Sequence, residues 1–280
     1  MTESILLVTG TSSGIGLATA IAAARTGFTV VATMRDLAKS DALRAAAESA
    51  GVELDLHPLD VTDPASIDAC FAHVRSRYGR LDALLNNAGA GHLGTVELEP
   101  IDDVRAVMEV NFFGVVAVTR AAMPLLRESR GRILAVSSVG GVVGQPFNEA
   151  YCAAKFAVEG FMESLTPVVA TVGVRATVIE PGAVSTEFVA NVGIEESPAA
   201  YGTPYEGAMR AYLARTAAAF DPANAQTAEG VAEAIVEALT AENPPARVQT
   251  SDAARRFAGI KLGDLDGAHV QAVTAHWVTS

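Results

Sequence analysis

The sequence predicts an α/β fold: a single doubly wound domain over residues 1–280, its seven-stranded parallel sheet covered by helices on both faces. Three observations carry this expectation. Strand-like apolar runs alternate with alanine-rich segments of helix length, and the runs are continuously apolar, as strands buried on both faces must be. A glycine-rich turn directly after the first run is the third.

The strand candidates are Ile5–Val8, Phe28–Ala32, Val52–Leu59, Leu81–Leu85, Arg132–Val136, Val174–Ile179 and Arg247–Gln249. Helical segments are expected over 15–26, 37–49, 64–78, 101–129, 149–171 and 227–240, with Asp63-Pro64 and Thr227 as start signals. Right-handed crossovers then gather the ligand-binding loops at the carboxyl ends of the strands. Residues 183–226 break the rhythm with Ala, Gly, Pro and scattered aromatics, and are read as a segment covering the site.

Composition narrows the function classes. With 32 acidic and 20 basic residues and a formal charge of −12, the surface repels polyphosphates, so nucleic acid is not an expected partner. An anionic ligand would need backbone N–H groups and a few local cations. No uninterrupted apolar stretch approaches the ~18 residues of a membrane span. No basic segment precedes Ile5, which points to a cytoplasmic chain. Cys70 and Cys152 have no metal or redox spacing and read as packing residues, and the five histidines share no ligand pattern, so no metal is expected.

After the first strand comes Thr9-Gly10-Thr11-Ser12-Ser13-Gly14-Ile15-Gly16, and a helix follows at once. Glycines allow a tight turn and close backbone approach, while the helix start offers N–H groups and a positive dipole end to a pyrophosphate. Between a strand and a helix this is the context of a dinucleotide site in a Rossmann domain. The second strand delivers Arg35 and Asp36, where a cation would meet a ribose 2′-phosphate and an acid a 2′-hydroxyl. Met34 occupies the strand end, Arg35 can reach outward, Ser12 can donate a hydrogen bond and Asp36 can cap the next helix, so NADP(H) is the expected cofactor. Leu59-Asp60-Val61 and Asn86-Asn87-Ala88-Gly89 end two further strands on the same edge.

Tyr151 and Lys155 lie four apart on a helix and share a face, so an ammonium can sit beside a phenol. With 5 Tyr in the chain, chance supplies this pairing about 0.05 times. A phenol is a poor base at neutral pH, but a nearby cation favours its anion and makes it a usable acid or base. Ser138, at the end of the fifth strand, is suited to hydrogen-bond a substrate oxygen as charge develops, with Ser137 as the rival facing the other way.

The loop spacing G-x-x-x-G-x-G, with Ser138, Tyr151 and Lys155 behind it, resembles the short-chain dehydrogenase/reductase family over about residues 4–250. The resemblance implies hydride exchange between NADP(H) and a carbonyl or alcohol. It implies that Asn111 holds a water joining Lys155 to solvent, that Asp60 meets the adenine amine, and that Pro181-Gly182-Ala183-Val184-Ser185-Thr186 holds the nicotinamide carboxamide. Self-association as a homodimer or homotetramer through 101–129 and 149–171 follows from the same likeness.

Residues 138–160 and Thr33–Leu37 look particularly like the oestradiol-forming 17β-hydroxysteroid dehydrogenases and related retinol dehydrogenases, which act on large apolar rings. That likeness implies a substrate pocket drawn from Ser138, Val143, Phe147, Asn148, Tyr151 and Tyr212. It departs where a His-Ser pair follows the tyrosine matching Tyr212 in that branch, because this chain has Arg215-Thr216. Arg215 is either a partner for an acidic substrate group or a solvated helix residue. The competing readings are a lyase or epimerase that keeps NAD(P) bound, which would carry G-x-x-G-x-x-G, and a non-catalytic NAD(P)-sensing protein, which would lack Tyr151 or Lys155.

Overall fold

The computed structural model describes residues 4–186, 200 and 202–277. Seven strands, β1 (Ser4–Thr9), β2 (Phe28–Met34), β3 (Asp55–Pro58), β4 (Ala83–Asn86), β5 (Arg132–Val136), β6 (Arg175–Glu180) and β7 (Arg247–Gln249), form one sheet in the order 3-2-1-4-5-6-7. Every pairing is parallel, so each connection must cross a face of the sheet. The order reverses beside β1, and this is where doubly wound sheets open a crevice for ligands.

Side-chain alternation explains the unbroken apolar runs. In β1, Ile5 and Leu7 enter one core while Leu6 and Val8 enter the other; in β5, Ile133 and Ala135 part from Leu134 and Val136 in the same way. The first core packs under α3 (Pro64–Tyr78), α5 (Gly114–Ser129) and α6 (Glu149–Ala170). The second lies under α1 (Gly14–Arg25), α2 (Asp41–Ala50) and, later in the chain, α8 (Ala228–Thr240).

Several boundaries differ from expectation. Residues 37–49 divide into a 3-10 turn, Leu37–Lys39, and α2. The third strand starts at Asp55 because Gly51, at φ 65°, ends α2 with Gly51 N–H on Glu48 O and Val52 N–H on Ala47 O, which takes Val52 into the helix cap. The fourth strand begins at Ala83 instead of Leu81, since Asp82 turns its carboxylate onto Ile5 N–H at 2.8 Å. The expected helix over 101–129 is α4 (Ile101–Met108), one π turn at Glu109–Phe113, then α5. Its 29 residues have the length and apolar composition of a membrane crossing, yet Val115, Val118, Ala122, Leu125 and Leu126 serve the core.

Within the expected covering segment, 187–199 and 201 lie outside the described residues. The segment's base is closed: Ser185 N–H donates to Gln226 O at 2.8 Å and Gln226 N–H to Ala183 O at 2.9 Å. It carries a helix the sequence does not signal, α7 (Glu206–Phe220). Two more helices, α9 (Asp252–Leu262) and α10 (Ala268–Ala275), follow β7 and pack back toward the β5–α6 connection.

Candidate active site

All the motif loops emerge from the carboxyl edge of the sheet. Gly10 has φ 72° and Gly14 φ 57°, so both glycines hold backbone conformations that a side chain would strain. A Cβ on Gly16 would lie 2.1 Å from Gly10 O, and one on Gly10 2.8 Å from Ala88 Cα. These contacts make a backbone cradle at the start of α1. Ser13 caps that helix without bonding its hydroxyl to the first turn, which leaves first-turn N–H groups for an anion. A 410 Å³ cleft beside the cradle is lined by Ser12, Ser13, Gly14, Ser185, Thr186 and Thr227, with Thr186 3.4 Å from where a Gly14 Cβ would stand. Cradle, cleft and helix start together fit a pyrophosphate. Ile15, part-buried, packs against the second core.

Thr9 braces this region, a role the sequence motif did not reveal. Its buried hydroxyl accepts the N–H groups of Asn87 and Ala88, both at 2.9 Å. Asn87 Nδ2 then donates to Thr9 O at 2.9 Å and Gly10 O at 2.8 Å, locking the β4 loop to the glycine loop. Thr9→Val keeps the shape but leaves two amides without an acceptor. A loss of about 2–3 kcal/mol in urea denaturation is expected.

Along the same edge Arg35 is exposed after β2; burial pushes the Asp60 carboxyl up, but the hydrogen bonds from Thr62 and the Arg35 charge together hold it below the usual range. Asp36 caps the 3-10 turn by accepting from Ala38 N–H at 2.9 Å. Asp60 Oδ1 accepts from Thr62 N–H at 2.9 Å and Thr62 Oγ1 at 2.7 Å. Val61 is buried against Gly114, where an added Cβ would come within 2.7 Å of it. After β6, Pro181 O accepts from Val139 N–H at 2.9 Å, Gly182 lies near Ala254, and Val184 is buried in the second core.

The remaining four residues meet around the β5–α6 connection. Ser138 lies two residues after β5, accepts from Gly140 N–H at 3.0 Å, and hydrogen-bonds Tyr151. Ser137 points the other way, as strand alternation requires, and faces Glu159. Lys155 is buried one turn beyond Tyr151, with Nζ 5.7 Å from the phenol ring centroid and donating to Val136 O at 3.1 Å. Asn111 is fully buried in the π turn, where Nδ2 donates to Ala90 O at 3.0 Å and Val107 O at 3.1 Å while Oδ1 accepts from Ala90 N–H at 3.2 Å. Gly89 lets Asn111 and Lys155 converge: its missing Cβ would sit 2.8 Å from Asn111 Oδ1 and 3.5 Å from Lys155 Nζ.

Burial dominates the electrostatics of the Tyr151 and Lys155 pair. Burial pushes the Tyr151 phenol well above its ordinary value, with Ser138 opposing the rise and Cys152 and Tyr212 adding to it. Burial presses the Lys155 ammonium down to about 8, against the opposing pull of Glu159.

The expected substrate wall is also redrawn. Phe147, at φ 58°, Asn148 and Tyr212 do meet: the two rings are 5.7 Å apart and Asn148 Nδ2 donates to Tyr212 Oη at 2.6 Å. Val143 is not with them, because Ala258 and Val270 of the C-terminal helices fill the space beside it. Arg215 is exposed on α7, as one of its two readings has it, and its guanidinium lies 4.3 Å from the Trp277 ring centroid; Trp277 packs with Phe147 and Tyr212.

Comparison with known proteins agrees with this geometry. The family model described as short chain dehydrogenase matches residues 4–197. The chain is 37% identical to 17-beta-hydroxysteroid dehydrogenase type 1 of Homo sapiens, covering 96% of this chain and 84% of that protein. It is 36% identical to retinol dehydrogenase 8 of Homo sapiens, over 94% of this chain and 86% of that one. Among solved structures, a short-chain dehydrogenase from Streptomyces avermitilis superposes with a TM-score of 0.76 at 32% identity, covering 99% of this chain and 96% of the other. A single-substitution variant of actinorhodin polyketide ketoreductase with NADPH gives a TM-score of 0.76 at 29% identity, over 88% and 95%. The chain therefore belongs to the short-chain dehydrogenase/reductase family of oxidoreductases, in the branch of the 17β-hydroxysteroid and retinol dehydrogenases.

Proposed function

We propose that this protein is an NADP(H)-dependent oxidoreductase that interconverts a ketone or aldehyde and an alcohol on a bulky apolar substrate, steroid-like, retinoid-like or polycyclic. The observation that carries this reading is Tyr151 hydrogen-bonded to Ser138, with Lys155 one turn away and close to Gly89 of the β4 loop. When bound in the cradle, the nicotinamide nucleotide would supply the hydride chemistry at the carbonyl carbon. Tyr151 gives the proton to the substrate oxygen, and a phenol kept neutral by burial is already loaded for that step. Ser138 Oγ steadies the oxygen as charge develops on it, and Lys155 anchors the nicotinamide ribose. Asn111 and Lys155, converging over Gly89, suit a held water that returns protons to Tyr151. Oxidation reverses each transfer.

Gly10, Ser12, Ser13, Gly14, Ile15 and Gly16 would cradle the pyrophosphate, with Asp60 and Val61 at the adenine. Asn87, Ala88 and Gly89 would border the ribose, and Pro181, Gly182, Val184 and Thr186 the carboxamide. Phe147, Asn148 and Tyr212 supply an aromatic wall with one polar relay, which suits large apolar rings. Exposed Phe113 and Phe156 on the α5–α6 side favour self-association there.

Arg35 supports the choice of NADP(H): it is the cation at the β2 end, and no acid occupies the Met34 position. Arg35→Ala is expected to weaken NADPH by about tenfold and leave NADH within about twofold, since one charge-assisted phosphate contact is lost. Binding titrations with both nucleotides check this, and an unchanged preference would relocate the 2′-phosphate. The reading as a whole is tested by assaying the purified protein with NADPH and NADH against estrone, all-trans-retinal, phenanthrenequinone and acetophenone. No turnover of any of them, with nucleotide bound, would favour the non-catalytic sensor.

A further inference from the structure

Behind Lys155 lies an acidic group that the reaction described above does not use. Glu159 follows Lys155 by one helical turn on α6 and is 5% exposed. Among the described residues, neither of its carboxyl oxygens has a well-formed hydrogen bond. The side chain tucks beneath the turn that carries Ser138, and Gly141 makes the room: a Cβ there would lie 2.5 Å from Ser137 Oγ and 3.1 Å from Glu159 Cγ. On the other side stands Glu180 at the end of β6, 1% exposed, with Oε1 also unbonded and Oε2 accepting from Gln249 Nε2 at 3.0 Å. Arg247 of β7 reaches between them, Nε lying 3.4 Å from Glu159 and 3.7 Å from Glu180, while its other end pairs with the exposed Glu163. The groups facing Glu159 are therefore Lys155 and Glu163 on its own helix, Ser137 after β5, Glu180 on β6 and Arg247 on β7.

Packing alone does not call for this arrangement. An apolar side chain of similar volume would fill the space without the cost of burying two carboxyl groups for one shared cation. Burial drives the Glu159 carboxyl up to about 7, with Ser137 opposing the rise, Glu180 adding to it and Arg247 opposing it again. Its charge therefore changes in the range where Lys155 also titrates.

We propose that Glu159, held beneath the Ser138 turn against Glu180 and Arg247, is a positioning residue that keeps Lys155 charged at neutral and mildly alkaline pH. The inference rests on the role given to Lys155 above. When Glu159 is ionised it favours the Lys155 ammonium; without it, burial discharges that ammonium at lower pH. Glu159 thus acts on the reaction only through Lys155.

The test compares wild type, Glu159→Gln and Glu163→Gln. With NADPH and whichever of the four probe carbonyls the wild type reduces, the alkaline limb of kcat/KM in Glu159→Gln should move to lower pH by about one unit. The Glu163→Gln limb should stay in place, because that carboxylate is 70% exposed and screened. An unmoved limb in Glu159→Gln, or an equal shift in both variants, overturns the proposal.

A second measurement needs no turnover, so it separates failure of this proposal from failure of the assigned activity. It is a stability cycle of Glu159→Gln, Lys155→Met and the double variant, read as Tm at pH 5.5 and 7.5. A carboxyl raised on folding contributes stability that is fully present below its ordinary value and is lost as pH rises through about 7. Glu159→Gln should therefore gain on wild type between the two pH values. The two substitutions should be additive at pH 5.5, where Glu159 is neutral, and non-additive at pH 7.5. Additivity at both overturns the proposal.

Discussion

Tyr151→Phe is expected to lower kcat by about 10³-fold while leaving the fold and nucleotide binding in place, because it removes one proton-bearing oxygen and nothing else. The same hydroxyl has a limited structural share. Its hydrogen bond runs to Ser138, which also accepts from Gly140 N–H, so stability should fall by no more than about 1 kcal/mol. kcat and kcat/KM should fall together, the pattern of an interaction made only in the transition state. Ser138→Ala should show a smaller loss, about 10²-fold, since it removes a donor to the developing oxyanion but leaves the acid in place. Steady-state rates beside a nucleotide titration check both. Turnover in Tyr151→Phe within about tenfold of wild type would show that the proton comes from elsewhere.

That the chemistry can be argued from so few residues reflects which interactions are local. The strands are legible because both faces are buried, so β1 and β5 read as unbroken apolar runs. Helix starts are legible where the cap is chemical: Asp63 accepts from Ala65 N–H at 3.0 Å and Thr227 from Gly230 N–H at 3.1 Å, as their positions foretell. Tyr151 and Lys155 share a face by helix geometry alone.

The parts that are not legible depend on partners distant in the chain. The π turn at Asn111 is tied to the β4 loop through Ala90, and no short-range pattern encodes that pairing. Arg215 is exposed on its helix, in keeping with one of its two readings, but its stacking on Trp277 is not signalled, because nothing local marks the C-terminal helices. The packing of Val143 against Ala258 and Val270 is not legible for the same reason. Glu159 looks like an ordinary helix residue until Gly141, Glu180 and Arg247 are brought around it. Proximity predicts that Lys155 lowers the Tyr151 phenol, but burial dominates both groups and moves each toward its neutral form.

Gly16→Ala should disrupt the cradle more than any other single methyl in the site. The added carbon would stand 2.1 Å from Gly10 O, 2.5 Å from Asn87 Nδ2 and 2.9 Å from Gly10 C. The oxygen and carbon are backbone, and the amide is fixed by its bonds to Thr9 O and Gly10 O, so no flexible end can swing aside. Relief requires the glycine loop to move away from α1, which breaks the Asn87 lock and widens the anion site together. A loss of about 2–3 kcal/mol is expected, as for overpacking in a rigid core. It should appear as a drop of about 5–10 °C in Tm. NADPH affinity should fall by more than about tenfold even where the protein remains folded, because the N–H groups no longer converge on one phosphate. Gly144→Ala is the matched control: among the described residues nothing lies within 4 Å of its added carbon, and both Tm and affinity should stay at wild-type values. A Gly16→Ala protein that bound NADPH as wild type does would mean the pyrophosphate lies elsewhere, since no nucleotide could use this cradle after its floor had been displaced.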